Sequence, residues 1–270
     1  MNAVPVTTAP ATRTPHGDGR PRSTPLSAAR TLATARRVLG QLRHDPRTVA
    51  LLLVVPCVLL TLLRFMFDAQ PQAFDRVGAA LLGVFPLLVM FLVTSVAMLR
   101  ERTSGTLERL LTMPLGRLDL LLGYALAFGL VALAQAALAS ALTLGLLGLD
   151  VAGPTWLLFA VALGDGLLGM ALGLLVSAFA ATEFQAVQFL PAVILPQLLL
   201  CGLFVPRDSM AAGLHAVSDV LPLSYAVDAM NRLTTTAGVS GYLVRDLAVI
   251  AGAALLALAL GAVTLRRRTA

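Results

Sequence analysis

The sequence contains no lysine; all 20 of its basic residues are arginine. That absence excludes chemistry. A Walker A loop needs a lysine to reach the β- and γ-phosphates, and a Schiff-base enzyme needs a lysine amine. Charge of either sign is scarce, at 13% of the 270 residues, while 58% are hydrophobic and the mean hydropathy is +0.86. A soluble domain of this length needs far more polar surface, so composition places the chain in the membrane class. The two cysteines, Cys57 and Cys201, both lie inside apolar runs and fit neither a disulfide framework nor a metal-ligand spacing. His16, His44 and His215 are far apart and outside those runs, which leaves no metal site to build from them.

The apolar residues are gathered into six runs, each near the ~20 residues a spanning helix needs. They fall at about 48–67, 78–99, 118–148, 155–181, 186–206 and 246–265. The third is long enough to tilt, and Pro191 and Pro196 predict a kink in the fifth. Residues 1–26 are rich in Thr, Pro, Ala and Arg without apolar periodicity and read as a disordered tail. Residues 27–270 form the membrane domain. Within it, 27–45 carries Leu32, Ala35, Leu39 and Leu42 at helical spacing, with arginines on other faces. This predicts a basic amphipathic helix at the membrane interface, ended by Asp45-Pro46. Between runs five and six, Met210, Leu214, Val217 and Leu221, then Val227, Met230 and Leu233, predict two short helices broken at Leu221-Pro222. They form either a hairpin dipping into the outer leaflet or a packed cap.

Arginine placement sets the expected orientation. With the N-terminus inside, fifteen arginines fall in inner segments and four (Arg76, Arg207, Arg232 and Arg245) in outer ones; Arg64 is placed to snorkel from the end of the first span. Both termini and the segment 100–117 are therefore expected in the cytoplasm.

GDGLLG at 164–169 matches the dinucleotide pattern G-x-G-x-x-G, but it sits inside an apolar helical run rather than between a strand and a helix. It reads as small residues for close helix packing, with Gly169 and Gly173 forming a GxxxG pair. Asp165 is the only acid near the middle of a span. It either lines a translocation path or proton site, or is held by a neighbouring helix. Intramembrane aspartyl proteolysis needs a second carboxylate, and a Ser–His pair needs a histidine in a span; neither is present.

The segment 100–117, RERTSGTLERLLTMPLGR, holds four arginines and two glutamates between two spans. Leu107, Leu110 and Leu111 fall on one helical face between Gly105 and Pro114. A plain connector needs only a few residues, so the helix either docks on a partner or rests on the headgroups.

RERTSGTLERLLTMP resembles the signature E-R-x-x-G-T-L-E-x-L-x-x-x-P of the type-2 ABC-exporter permeases, a family of drug, polysaccharide and lipid-precursor exporters. LCGLFVP at 200–206, LPLSYAVDAMNRL at 221–233 and GLLVSAFAATEFQA at 173–186 are similar to further segments of that family. Leu200-Cys201 stands before Gly202 where the family often has a serine. The resemblance implies an all-α membrane protein with six transmembrane helices, an N-terminal interfacial helix, a cytoplasmic coupling helix and an outer re-entrant helical hairpin. It implies a bacterial plasma-membrane permease, not an enzyme, that exports a drug-like or lipid-like amphipathic substrate. No cofactor is bound by this chain; ATP and Mg belong to a separate ATP-binding subunit, and the permease pairs with itself or with a second permease among membrane lipids. No nucleic acid is involved. The resemblance assigns Glu101, Arg102, Gly105, Thr106, Leu107, Glu108, Leu110 and Pro114 to coupling. Pro206, Pro222, Tyr225 and Asp228 belong to the outer hairpin, and Asp165, Pro191 and Pro196 are candidates for the path. The alternative is an ion-coupled secondary transporter using Asp165.

Overall fold

The computed structural model describes residues 27–106 and 117–264. Among these, nine α-helices and one 3₁₀ turn account for the regular structure: α1 (Ala28–Arg43), α2 (Pro46–Met66), α3 (Pro71–Thr103), α4 (Arg117–Gly145), α5 (Thr155–Val176), α6 (Glu183–Leu200), the turn Arg207–Ser209, α7 (Ala212–Ser218), α8 (Pro222–Thr235) and α9 (Gly241–Thr264). Six of them, α2 to α6 and α9, are long and apolar enough to cross a membrane. The expected tail 1–26 and the residues 107–116 lie outside the described residues, as do 265–270.

The helix starts have local causes. Asp45 caps α2: its carboxylate accepts from Thr48 N at 3.2 Å and Thr48 Oγ1 at 2.6 Å. Pro46 follows at the first helical position, where its missing N–H costs nothing. Pro71 and Pro222 open α3 and α8 in the same way. Thr182 caps α6 by accepting from Gln185 N at 3.2 Å, and Gln185 Oε1 reaches back to accept from Ala181 N at 2.8 Å. The arrangement is like a capping box of the Thr-x-x-Gln kind, with the return bond made to the residue before the cap rather than to the cap itself.

α3 and α5 are the central pair and pack together more extensively than any other two helices. Their contact depends on glycine. A Cβ on Gly169 would sit 2.2 Å from Leu87 O, and one on Gly173 would sit 2.1 Å from Thr94 Oγ1. Thr94 Oγ1 donates across the pair to Met170 O at 3.2 Å. GDGLLG is therefore a packing surface. α8 and α9 close over α3 and α5, and Ala79, Leu82, Leu158, Ala162, Val227 and Met230 share one core. A second core at the other end joins α1 to α4 through Ala35, Val38, Leu120 and Tyr124. α2 and α6 pack at the periphery, where Leu60 and Ile194 join the first core and Leu52 the second. They expose Leu51, Val54, Leu62, Phe65, Phe184 and Leu199, as helices facing lipid or another subunit would.

α3 runs from 71 to 103, past both ends of the expected apolar run, because its polar first turns and Arg100-Glu101-Arg102 stay helical. α6 ends at Leu200 rather than near 206, since Gly202 at φ +91° turns the chain. It continues unbroken as a helix through Pro191 and Pro196.

Candidate functional site

At the α1 end of the bundle, helix α1 is fastened to the beginnings and ends of the spans. Arg30 Nε meets Asp119 Oδ2 at 2.9 Å, and Ser27 N donates to Asp119 Oδ1 at 2.8 Å. Close approach is possible because Gly123 lies under Thr34; a Cβ there would sit 2.5 Å from Thr34 Cβ. One turn further, Arg37 is shared between two helices. Its Nη1 donates to Glu101 Oε1 at 2.9 Å and its Nη2 donates to Tyr124 Oη at 2.6 Å. Gln41 Nε2 donates to the same Glu101 oxygen at 3.1 Å.

Glu101 is therefore not a surface group. It is 8% exposed and faces α1 and α4 from the last turns of α3. Arg102 is half-buried beside it. Gly105, at φ +70°, takes the left-handed conformation that ends α3, and Thr106 Oγ1 lies 2.9 Å from Ser104 Oγ. Leu107, Glu108, Leu110 and Pro114 lie outside the described residues. Sequence reasoning found Glu101 but missed Arg37, Gln41, Asp119 and Tyr124, because each is paired across dozens of residues and carries no local pattern.

Beside this junction is a cavity of about 760 Å³ between α1, α3, α4 and the start of α6. Its walls include Val93, Val96, Ala97, Phe128 and Val187, with Asp45, Arg100, Glu101 and Glu183 among the polar lining. Arg100 forks onto Glu183, Nε to Oε1 at 2.8 Å and Nη2 to Oε2 at 3.0 Å, and so ties α3 to α6.

The opposite end holds a second charged cluster. Arg207 donates to both Asp219 and Asp228. Tyr225 lies between Arg207 and Arg245, whose guanidinium carbons are 5.5 and 5.4 Å from its ring centre, within range of a cation–π contact. Tyr225 Oη donates to Asp219 O at 2.6 Å. Arg245 donates to the fully buried Asp246 at 2.9 Å, and Arg232 stands 3.8 Å from the same carboxylate. Burial pushes the Asp228 carboxyl above its ordinary range, and Arg207 offsets part of that. All of these groups except the buried Asp246, together with Pro206, line a polar cavity of about 350 Å³. Pro222 starts the helix that carries Tyr225 and Asp228. Arg64, at the end of the first span, donates from Nε to Leu147 O in the loop after α4 at 3.0 Å.

Asp165 lies apart from both clusters. It is fully buried in α5, and a Cβ on Gly83 of α3 would be 3.5 Å from its Oδ2 and 3.4 Å from Met230 Cε of α8. Neither carboxylate oxygen has a hydrogen-bond partner among the described residues. Pro191 and Pro196 are exposed on the outside of α6, so the three path candidates are not brought together within one subunit.

The family model of the ABC-2 type transporters matches residues 30–233, from α1 through α8. The chain belongs to that family. Within it, the probable multidrug ABC transporter permease YbhS of Escherichia coli K12 is 28% identical over 178 residues, covering 66% of this chain and 47% of the relative. The probable multidrug ABC transporter permease YbhR of the same organism is 28% identical over 149 residues, covering 55% of this chain and 40% of the relative. ABC transporter G family member 20 of Dictyostelium discoideum is 26% identical over 138 residues, covering 51% of this chain and 19% of that protein. The matches thus span less than half the length of these ABC-2 and ABC relatives. The ABC-2 match covers the Arg37–Glu101 junction and the part of the Arg207 cluster that lies before residue 233, which leaves Arg245 and Asp246 outside it.

Proposed function

We propose that this chain is the membrane-spanning permease subunit of an ATP-driven exporter, working as a pair of permeases with two separate ATP-binding subunits. The observation that carries this reading is the ABC-2 match across residues 30–233. The absence of lysine fits it, since ATP and Mg then belong to the partner.

In this reading α1 lies at the cytoplasmic interface, and Glu101, Arg102, Gly105, Thr106, Leu107, Glu108, Leu110 and Pro114 form the coupling element. ATP closes the partner dimer and presses on Leu107–Pro114. The push enters α3 at Glu101, whose bonds to Arg37 and Gln41 move α1 with it. α3 is packed tightly on α5 through Gly169 and Gly173, so the two travel as one body. Pro206, Pro222, Tyr225 and Asp228 belong to an outer hairpin whose Arg207 contacts hold the far end closed. The exposed face of α6, with Pro191 and Pro196, lines the path between two copies, and Asp165 shifts with the α3–α5–α8 contact. Cargo moves only if its affinity differs between the inward and outward states.

An ion-coupled transporter is the second reading, favoured by one observation: Asp165 is buried with both oxygens unpartnered.

Co-expression with ATP-binding subunits of the same genome, purification in mild detergent and an ATPase assay separate the two. The exporter reading expects a stable complex with ATPase activity that falls on Glu108→Arg. Absence of any complex, with cargo uptake that follows an ion gradient and depends on Asp165, would replace it with the second reading.

A further inference from the structure

Helices α1 and α2 meet at Asp45-Pro46, and this corner carries positive charge that no carboxylate of the described residues takes up. Arg43 ends α1 and Arg47 is the second residue of α2; both are exposed. Neither makes an ion pair or a side-chain hydrogen bond among the described residues, whereas nearby Arg37 and Arg100 are committed to Glu101 and Glu183. Asp45 stands between them in the chain, but its carboxylate is turned onto Thr48, whose N and Oγ1 donate to it.

Arg47 also begins a stripe. Leu51, Val54, Val58, Leu62 and Phe65 follow it at steps of three and four along α2, which is one face of a helix, and all five are exposed. The stripe runs the length of a helix long and apolar enough to span a membrane. A soluble partner cannot follow it into the bilayer. A second α2 laid along it would bring no carboxylate to Arg47, because the chain has no acid from Pro46 to Phe67. A lipid supplies both an anion at the headgroup level and tails for the stripe.

We propose that this corner binds an anionic phospholipid. Its phosphodiester accepts from the Arg43 and Arg47 guanidiniums, and an acyl chain lies along Leu51, Val54 and Val58. Arginine suits phosphate because its planar fork donates two parallel charge-assisted bonds. A zwitterionic lipid brings its own ammonium to the same phosphate, beside two guanidiniums, and gains less. The lipid holds α1 in place and is not cargo. α1 is the helix joined to Glu101 through Arg37 and Gln41, so the charge of the leaflet bears on that junction.

The test uses the full-length protein in detergent, titrated with dioleoyl phosphatidylglycerol or dioleoyl phosphatidylcholine, with retained lipid counted by native mass spectrometry. The first phosphatidylglycerol should bind about tenfold or more tightly than phosphatidylcholine. The expectation is about fivefold for each arginine, the equivalent of about 1 kcal/mol per basic residue at an anionic surface. Arg43→Gln combined with Arg47→Gln should bring phosphatidylglycerol down to the phosphatidylcholine level. Arg43→Lys combined with Arg47→Lys should keep most of the preference, because the charge remains. Neither side chain is paired within the fold, so both double variants should unfold at the wild-type temperature. Soluble glycerol 3-phosphate should not compete, since it has no chain for the stripe. Equal retention of the two lipids, a preference that survives the double glutamine variant, or competition by glycerol 3-phosphate would overturn the proposal. So would a dimer that retains no phosphatidylglycerol, which would assign the α2 stripe to a second copy.

Discussion

Arg37 and Glu101, 64 residues apart in the chain, are joined at 2.9 Å, and through them the first helix is fixed to the last turns of α3. The pair is largely removed from solvent, with side-chain exposures of 29% and 9%. Removing one partner strands the other, and in a fully buried pair that is strongly destabilising. Solvent access to Arg37 reduces the effect, so Glu101→Ala should cost about 1–3 kcal/mol. A double-mutant cycle with Arg37→Ala, followed by thermal unfolding in detergent, should show the double variant losing less than the two singles combined. Additive losses would mean that the pair is not coupled.

Gly169 should tolerate no side chain. Its absent Cβ would collide with the backbone of Leu87, which cannot rotate away. Gly169→Ala should lower stability by about 1–3 kcal/mol, the usual cost of overpacking, and should do so without altering any charged group. Gly252, with open space around it, serves as the control. Gly252→Ala should be neutral or slightly stabilising within its helix.

Asp165 carries an opposing pair of expectations. An unpartnered buried polar group costs about 1–3 kcal/mol, so Asp165→Ala should leave stability unchanged or raise it. If the carboxylate serves transport, ATP-driven transport by the same variant should fall. A variant that is stable and fully active would remove any transport role from this residue.

Arg207 holds Asp219 and Asp228 at the far end of the bundle. Arg207→Ala should raise hydrogen exchange over α7 and α8 while leaving α1 as in wild type. The pH dependence has a definite sign. Burial raises the Asp228 pKa in the folded state. A raised carboxyl pKa favours the protonated folded form, so its contribution is most favourable below the unfolded value of about 4 and is lost as pH rises through the folded pKa. Without Arg207 that pKa rises further, so the defect of Arg207→Ala should be larger near neutral pH than at about pH 4. A defect independent of pH would mean that Asp228 is not the group Arg207 stabilises.

Much of the fold was legible because an apolar run of span length has few alternatives. Helix ends were less so. Hydropathy locates the apolar stretch, but α3 continues through Arg100-Glu101-Arg102 because its hydrogen-bond ladder persists until Gly105 turns the chain. GDGLLG was readable as packing from its helical context; Leu87 now accounts for the size of Gly169, and Thr94 for that of Gly173 one turn beyond the segment. The site was half legible. Glu101 stood out inside a recognisable segment, yet its direction, back toward Arg37 rather than outward, depends on α1 folding against α4. No spacing in the sequence encodes that contact. For the same reason Arg207, Arg232 and Arg245 read only as outer charges until tertiary structure set Tyr225 and Asp246 among them.

The most direct test of the account is the ATPase activity of the permease reconstituted with its ATP-binding partner, measured for wild type, Glu108→Arg and Arg37→Ala. The account expects a complex in all three. Activity should be nearly lost in Glu108→Arg, where the docking segment is damaged, and lowered in Arg37→Ala, where α1 is uncoupled from α3. Wild-type activity in both variants would contradict it, because the ATPase would then be driving the permease through some other surface.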